Sequence, residues 1–204
     1  MGFKIYIIAI TNAMNVSITD IPKKIGLDEL KPGNEISLNE AQRETGISIG
    51  KYNKTIFIVG GDLVFQFYNK QQSELEKRLI KEFPKSEIAI LTLDQTTDFF
   101  GYNIISESKR KRVIAGADSE LEIDFGEKIS EEIEVAKDPQ LNFFLEELNE
   151  IRKTDKSFTE KQMKSAINHE IGVRSFFKLT SRYFEKRIDE IGSNYSKIKA
   201  TRFE

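Results

Sequence analysis

The sequence predicts a single α+β domain over about residues 1–192, with a mixed or mainly antiparallel sheet of about six to eight strands and a C-terminal helical layer on one face. Two patterns lead to this prediction. Four short runs of β-forming residues, divided by turn residues, lie between about 87 and 127 and indicate a β-meander. From about 138 to 192 the apolar residues recur at helical spacing instead. Residues 193–204 are polar, and we expect a frayed tail there.

The first predicted element is a strand. Residues Phe3 to Ile10 are apolar on both faces, which is typical of a central strand that is covered on both sides. The next stretch, Thr11 to Tyr52, is weakly patterned and interrupted by glycine and proline. Within it, residues Ile21 to Leu30 are expected to hold a short helix.

A hairpin and a helix are predicted next. Two β-rich runs, Thr55 to Val59 and Leu63 to Tyr68, flank Gly60-Gly61-Asp62, and glycine-rich connections of this length are typical of hairpins. The connection lacks the glycine spacing of the phosphate-binding motifs, so a turn is the favoured interpretation. Apolar residues at helical spacing then predict a helix over about residues 71–83, with Asn69 or Ser73 as its N-cap.

The meander is the clearest region. Its four runs are Ile88 to Leu93, Phe99 to Ile105, Arg110 to Ala115 and Glu120 to Phe125. In the last run apolar Leu121, Ile123 and Phe125 alternate with acidic residues, which predicts an antiparallel strand with one buried and one solvated face.

A basic run, Lys109-Arg110-Lys111-Arg112, begins the strand that precedes this acidic one in the sequence. A turn centred on Ala117 would place Arg112 opposite Glu122 and Arg110 opposite Asp124, as cross-strand ion pairs. The net charge of -2 disfavours a dedicated nucleic-acid binder, so a solvated hairpin is preferred over contact with phosphates.

The C-terminal third predicts helices. Asp138-Pro139 supplies a cap and first-turn residue, and Thr159 with Gln162 forms a capping box. A stripe of apolar residues from Val173 then runs towards Gly192 as a stop signal. The sequence leaves open whether Gly172 divides one long helix into two.

Composition narrows the chemistry. The chain has no cysteine, which excludes disulfides, thiolate catalysis and thiolate metal sites and fits a cytoplasmic location. Its N-terminal apolar run is too short to cross a membrane, so no membrane association is expected. A single histidine precludes a histidine-rich metal site within one chain, and neither a bound metal nor a cofactor is predicted.

Three residues are candidates for chemistry. Asp94 and Asp98 bracket the loop Asp94-Gln95-Thr96-Thr97-Asp98, which follows a strand predicted to be buried, and such loops often hold ligands. The same residue types are also common in turns, and the turn interpretation is preferred. His169 lies on a predicted helix, where Glu170 at the next position would not face it, so a structural role is favoured over general-base catalysis.

Several patches share a pattern with known sequences. The chain opens with Met1-Gly2-Phe3-Lys4, continues with the loop from Asp94 to Asp98 and Phe99, and has Phe125-Gly126-Glu127 after its charged hairpin. In these patches, and in Phe176 to Phe184, it resembles a family of uncharacterised bacterial proteins of unknown function. That family has a histidine where this chain has Asp94, whereas Asp98 matches. The resemblance implies a bacterial protein and no particular activity.

Two classes of function follow from the sequence. The first is a non-catalytic protein-interaction or regulatory module, for example an immunity-type protein, whose acidic strand would meet a basic protein partner. The alternative is a small-molecule or divalent-metal-dependent enzyme with its site at residues 94–98. Nucleic-acid binding through residues 109–112 is a weaker third hypothesis. The sequence decides neither whether the chain is an enzyme nor its oligomeric state.

Overall fold

The computed structural model describes residues 4–43, 45–190 and 194–204, and the chain forms a single α+β domain. Within these residues one antiparallel sheet of nine strands has the order β2-β9-β3-β4-β1-β5-β6-β7-β8. The strands are β1 (Lys4–Thr11), β2 (Pro32–Ser37), β3 (Ile47–Tyr52), β4 (Thr55–Val59), β5 (Ile88–Asp94), β6 (Phe99–Ser106), β7 (Lys109–Ala117), β8 (Glu120–Gly126) and β9 (Lys199–Phe203). The predicted fold class is confirmed, with one strand more than the upper expectation.

The predicted C-terminal helical layer is confirmed on one face of the sheet, and further helices cover the other face. The helices are α1 (Ile21–Ile25), α2 (Leu38–Ala41), α3 (Gly61–Val64), α4 (Glu74–Glu82), α5 (Ser130–Val135), α6 (Gln140–Thr154) and α7 (Glu160–Phe184). The α7 face, which carries Phe100, packs against α2 and α7, whereas the α4 face, which carries Ile90, packs against α1, α3 and α4. Because the central strands are apolar on both sides, each face requires its own cover.

The predicted hairpin after Val59 is wrong. The chain leaves β4 through Gly60 and forms α3 followed by a 3-10 turn at Phe65–Phe67. Two observations explain the error. Strand β4 is already paired with β3 and β1, so no hairpin partner can lie beside it. Val64, Phe67 and Tyr68 are buried at helical spacing, although their aromatic content favoured a strand.

Two other predicted segments are confirmed in part. Helix α1 lies within the predicted segment Ile21 to Leu30 and ends at Gly26, whose φ of 83° is left-handed. Helix α4 lies within 71–83, and the Ser73 side chain accepts a hydrogen bond from the Glu76 amide at 3.1 Å, as an N-cap does.

The meander is confirmed as β5 to β8, but its last hairpin has a different register. Ala117 pairs with Glu120, so the turn is Asp118-Ser119, with φ of 48° and 62°, and not a turn centred on Ala117. Arg112 therefore lies opposite Gly126, not Glu122. A bulge at the position of Glu122 also places Leu121 on the α7 face and Ile123 on the α4 face, which overturns the predicted single apolar face.

A second bulge separates the two arginines of the basic run. Ile104 pairs with Arg112 and Ile105 pairs with Arg110, so Lys111 is the extra residue. An uninterrupted strand would carry both arginines on one face. The bulge instead directs Arg110 to Glu76 of α4, with Nε 2.7 Å from Oε1, and Arg112 to Glu132 of α5.

Helix α5 is fixed by two consecutive buried glutamates. Glu132 accepts hydrogen bonds from Arg112 Nε at 2.8 Å and Nη2 at 2.7 Å, whereas Glu131 accepts from Arg182 of α7. Both carboxylates are largely buried, at 1% and 7% exposure for Glu132 and Glu131. The short helix is thereby joined to strand β7 on one side and to α7 on the other.

The C-terminal region contains the largest departures from the predictions. Helix α7 is continuous through Gly172 and ends at Phe184, before Glu185 with its φ of 66°, and the predicted stop at Gly192 lies outside the described residues. The prediction of a frayed polar tail is wrong for residues 194–204. They contain β9, which pairs with both β2 and β3 and buries Phe203 in the core.

Candidate functional site

A cavity of about 620 Å³ opens at one end of the sheet, where β1 and β3 begin and β4 and β9 end. More of its surface is apolar than polar, although apolar and polar side chains line it in equal number. The apolar residues are Leu30, Ala41, Ile47, Val59, Leu63 and Phe203, and the polar residues are Lys4, Tyr6, Gln42, Arg43, Thr45 and Asp62.

The cavity forms because two neighbouring strands separate at this end. The amide of Gly60 still donates to the carbonyl of Tyr6 at 3.2 Å, but the chain then turns away from β1 into α3. The amide of Tyr6 donates instead to Oε1 of Gln42 at 2.7 Å. A side chain from the segment after α2 thus replaces the missing strand partner and closes one wall of the cavity.

Asp94 stands directly behind the cavity wall and holds two of its residues. It pairs with Lys4 across β1 and β5, and its carboxylate accepts hydrogen bonds from Lys4 Nζ at 3.0 Å and from the hydroxyl of Tyr6. Thr96 donates to the other oxygen through its amide, at 2.9 Å, and through its hydroxyl. With four hydrogen bonds the carboxylate is saturated, so Asp94 positions Lys4 and Tyr6.

These contacts fix two protonation states. Burial disfavours the ionised form of Asp94, but hydrogen bonds from Thr96, Tyr6 and Lys4 outweigh it and hold the pKa of this carboxyl well below its usual range. Burial and the hydrogen bond to Asp94 raise the pKa of the Tyr6 hydroxyl well above its ordinary value. Around neutral pH, Asp94 is therefore an anion and Tyr6 a neutral donor.

Replacing Asp94 with asparagine is expected to lower the free energy of unfolding at pH 7 by about 1.5 kcal/mol, because charge-assisted hydrogen bonds are lost. The folded-state pKa is depressed, so this stabilisation is present above the unfolded pKa of about 3.9 and is lost as pH falls below it. Urea denaturation of the wild type and Asp94→Asn measures the difference in their free energies of unfolding, which should be smaller at pH 3 than at pH 7. The control is Asp98→Asn, whose parent side chain is 59% exposed and which should change stability by less than about 0.5 kcal/mol.

The structure does not bring Asp94 and Asp98 together at one ligand. Asp94 faces Lys4 and Tyr6, whereas Asp98 lies beside α7, with Oδ2 4.0 Å from Nε2 of His169. The buried ring of His169 packs edge-on against Phe100, with 4.9 Å between the ring centres. Two of the three candidate residues, Asp98 and His169, are thus neighbours, separate from the Asp94 network.

No acidic cluster with the arrangement of a metal site is found in residues 4–43, 45–190 and 194–204, counting groups of three or more histidine, aspartate or glutamate side chains. The basic run is also not a free cationic surface. Arg110 and Arg112 have side chains only 7% and 2% exposed and are paired with carboxylates. Lys111 is exposed and paired with Glu107 at 2.6 Å.

The cavity residues were missed by reasoning from sequence. Lys4 and Tyr6 are the polar positions at the start of a strand that is otherwise apolar, and this interruption is the one signal that would have marked them. Gln42 and Arg43 come from the weakly patterned stretch, where nothing local distinguishes them. Asp94 was found, because polar residues after a buried strand are noticeable in any sequence.

No protein-family model matches this chain, and neither the curated proteins nor the solved structures contain a match. The resemblance to a bacterial family therefore stays a prediction. Among the described helices, none combines the length and the apolar character that crossing a membrane requires.

Proposed function

We propose that this chain is a non-catalytic regulatory module that binds a small molecule in the cavity beside Lys4 and Tyr6. The observation that carries the proposal is the cavity itself. A volume of about 620 Å³ and a wall that combines apolar surface with polar side chains are usual properties of small-molecule sites.

The protonation states beside the cavity favour binding over acid-base catalysis. A general acid or base works best with a pKa near the working pH. The pKa of Asp94 is held well below its usual range, and the pKa of Tyr6 is raised well above its ordinary value. Such groups keep their protons or their charge through a binding event, which suits recognition of a ligand.

A ligand in this cavity would be coupled to the stability of the fold, which motivates the regulatory role. The walls come from β1, β3, β4 and β9 and from the segments around α2 and α3, so one molecule would contact both ends of the chain. A ligand that binds only the folded protein adds about 2.7 kcal/mol of stability at a concentration one hundred times its Kd. Binding of the ligand would thus make this end of the sheet more ordered, and that change would be the regulatory signal.

Filling the cavity at Gly61 is the direct test. A Cβ at Gly61 would lie 3.8 Å from the Tyr6 ring, which is an ordinary contact, so a larger side chain can begin here without a clash. Gly61 lines the cavity, and Gly61→Leu therefore adds bulk to its wall. We expect the wild-type chain to bind the neutral fluorophore N-phenyl-1-naphthylamine at about one site, and Gly61→Leu to weaken this binding at least about tenfold, as lost apolar contact of about 1.4 kcal/mol requires. Fluorescence titration measures both affinities.

The matched control is Lys85→Leu, which adds the same side chain at the opposite end of the sheet. Lys85 is exposed and lies two residues before Glu87. The carbonyl of Glu87 accepts a hydrogen bond from the amide of Thr11, at the far end of β1. This variant should bind the fluorophore as the wild type does. If wild-type binding is absent, or if Gly61→Leu binds with unchanged affinity while melting at the same temperature, the proposal is wrong.

A further inference from the structure

Resting on the proposed function, we infer that the ligand of this cavity is a small amphipathic anion, with its charged group at Lys4 and Arg43 and its apolar body against the inner wall. The inference follows from the hydrogen-bond donors that the cavity residues leave unused and from the distribution of charge around the opening.

Lys4 has donors to spare. An ammonium group has three N–H donors, and Asp94 takes one of them at 3.0 Å. The side chain is 41% exposed and lines the cavity, so the remaining donors are accessible to a bound molecule. Asp94 neutralises part of the charge and holds the ammonium at a fixed position beside the strand.

Arg43 is the second cation. It is exposed, lines the cavity and makes no side-chain hydrogen bond or close ion pair with the described residues. The carboxylate of Glu40 is near enough for the two charges to attract each other, without a direct contact. The planar guanidinium of Arg43 offers five donors in a fork that fits a carboxylate or a phosphate in two-point contact. Asp62 is the one carboxylate among the described lining residues, and it is exposed. Among the described lining residues there are two cations and one carboxylate, and Asp94 already pairs with Lys4. The unused donors of Lys4 and Arg43 are what favours an anionic ligand.

The remaining surface requires an apolar body. Leu30, Ile47, Val59, Leu63 and Phe203 line the same cavity. An inorganic anion would leave these side chains in contact with water, whereas an amphipathic molecule would cover them. The same cavity thus provides donors for a charged group and an apolar wall of a size suited to a short chain or ring.

A pair of probes tests the charge separately from the cavity. The anionic fluorophore 8-anilinonaphthalene-1-sulfonate and the neutral N-phenyl-1-naphthylamine share an apolar body and differ in the sulfonate. We expect Arg43→Gln to weaken binding of the anionic probe about tenfold and to change binding of the neutral probe less than about twofold. Asp62→Asn should strengthen binding of the anionic probe alone, because it removes the repelling carboxylate. Octanoate and octyl phosphate, added without label, should displace the anionic probe, and their relative strength identifies the preferred head group.

Each outcome separates the two proposals. If the neutral probe binds and is blocked by Gly61→Leu, but the anionic probe is insensitive to Arg43→Gln and to both competitors, the anionic ligand is excluded and the small-molecule cavity stands. If neither probe binds in a manner sensitive to Gly61→Leu, the proposed function itself fails. Equal melting temperatures of the wild type and Arg43→Gln, which is expected for an exposed side chain, exclude a folding defect as the cause.

Discussion

Replacing Arg112 with methionine is expected to lower the free energy of unfolding by about 3–5 kcal/mol, because the change leaves Glu132 buried without a cation. Both side chains are 2% exposed, and the guanidinium holds the carboxylate through two parallel hydrogen bonds of 2.8 Å and 2.7 Å. The same guanidinium donates to the carbonyl of Phe125 at 3.0 Å, so the substitution also frees a backbone acceptor.

Arg112 stays protonated in the native protein. Burial alone would lower its pKa, but the carboxylates of Glu132 and Asp124 outweigh burial and raise the pKa above its ordinary value. The large expected effect is therefore the cost of an isolated buried charge and not the net contribution of the ion pair. A buried pair replaced by apolar residues of similar volume is often tolerated.

Urea denaturation of four variants distinguishes these terms: Lys111→Met, Arg112→Met, Glu132→Leu and the double variant of Arg112 and Glu132. Lys111→Met, at the exposed bulge residue between the two arginines, should change stability by less than about 0.5 kcal/mol. Arg112→Met with Glu132→Leu should recover most of the loss of Arg112→Met alone, which gives a large coupling energy in a double-mutant cycle. A single Arg112→Met variant no less stable than Lys111→Met would show that the Glu132 site is hydrated in solution.

The bulge at Lys111 illustrates why the sequence predicts the positions of the strands better than it predicts which face of the sheet each side chain lies on. Four alternating runs with local turns suffice to place β5 to β8, since each hairpin joins neighbours in sequence. A single extra residue, however, reverses the face of every side chain beyond it. Nothing within Lys109-Arg110-Lys111-Arg112 indicates which residue is extra. The partners Glu76 and Glu132, which lie 34 and 20 residues away, reveal it in the folded protein.

Strand β9 and the cavity could not be predicted from the sequence for another reason, which is that both depend on contacts between distant segments. β9 is a short strand with polar alternate residues, and its partners β2 and β3 lie more than a hundred residues earlier in the chain. Lys4, Arg43 and Asp62 likewise line one cavity only because β1 and β3 begin where β4 ends. Local patterns report local pairing, whereas these features depend on non-local strand order, which a single sequence leaves undetermined. Asp94 was predictable as a polar loop residue, but its role as a partner of Lys4 was not.

Replacing Gly172 with valine is expected to destabilise the protein by about 3 kcal/mol, at the upper end of the cost of overpacking. Helix α7 crosses β6 at this residue, and a Cβ built on Gly172 would overlap the ring of Phe100, which is fully buried. The ring has little room to withdraw, because His169 packs against it from the same helix.

Gly172→Ala separates packing from helix propensity. In an exposed helix interior this change stabilises by about 1 kcal/mol, since glycine is the weaker helix former. At Gly172 we expect the opposite sign, a loss of about 1–2 kcal/mol, because the overlap with Phe100 exceeds the gain in propensity. Urea denaturation measures it, and Gly61→Ala, where the nearest atom to a new Cβ is 3.8 Å away, is the matched control and should be neutral or stabilising.

A smaller side chain at position 100 tests whether the overlap with Phe100 causes the loss. In a background of Phe100→Leu, the cost of Gly172→Ala should fall, because the shorter side chain leaves space for the methyl group. Stability of Gly172→Ala equal to or above that of the wild type would show that α7 shifts along the sheet without cost. The expected loss instead means that Gly172 sets the distance between α7 and β6. This glycine does not divide the helix but allows its close packing on the sheet.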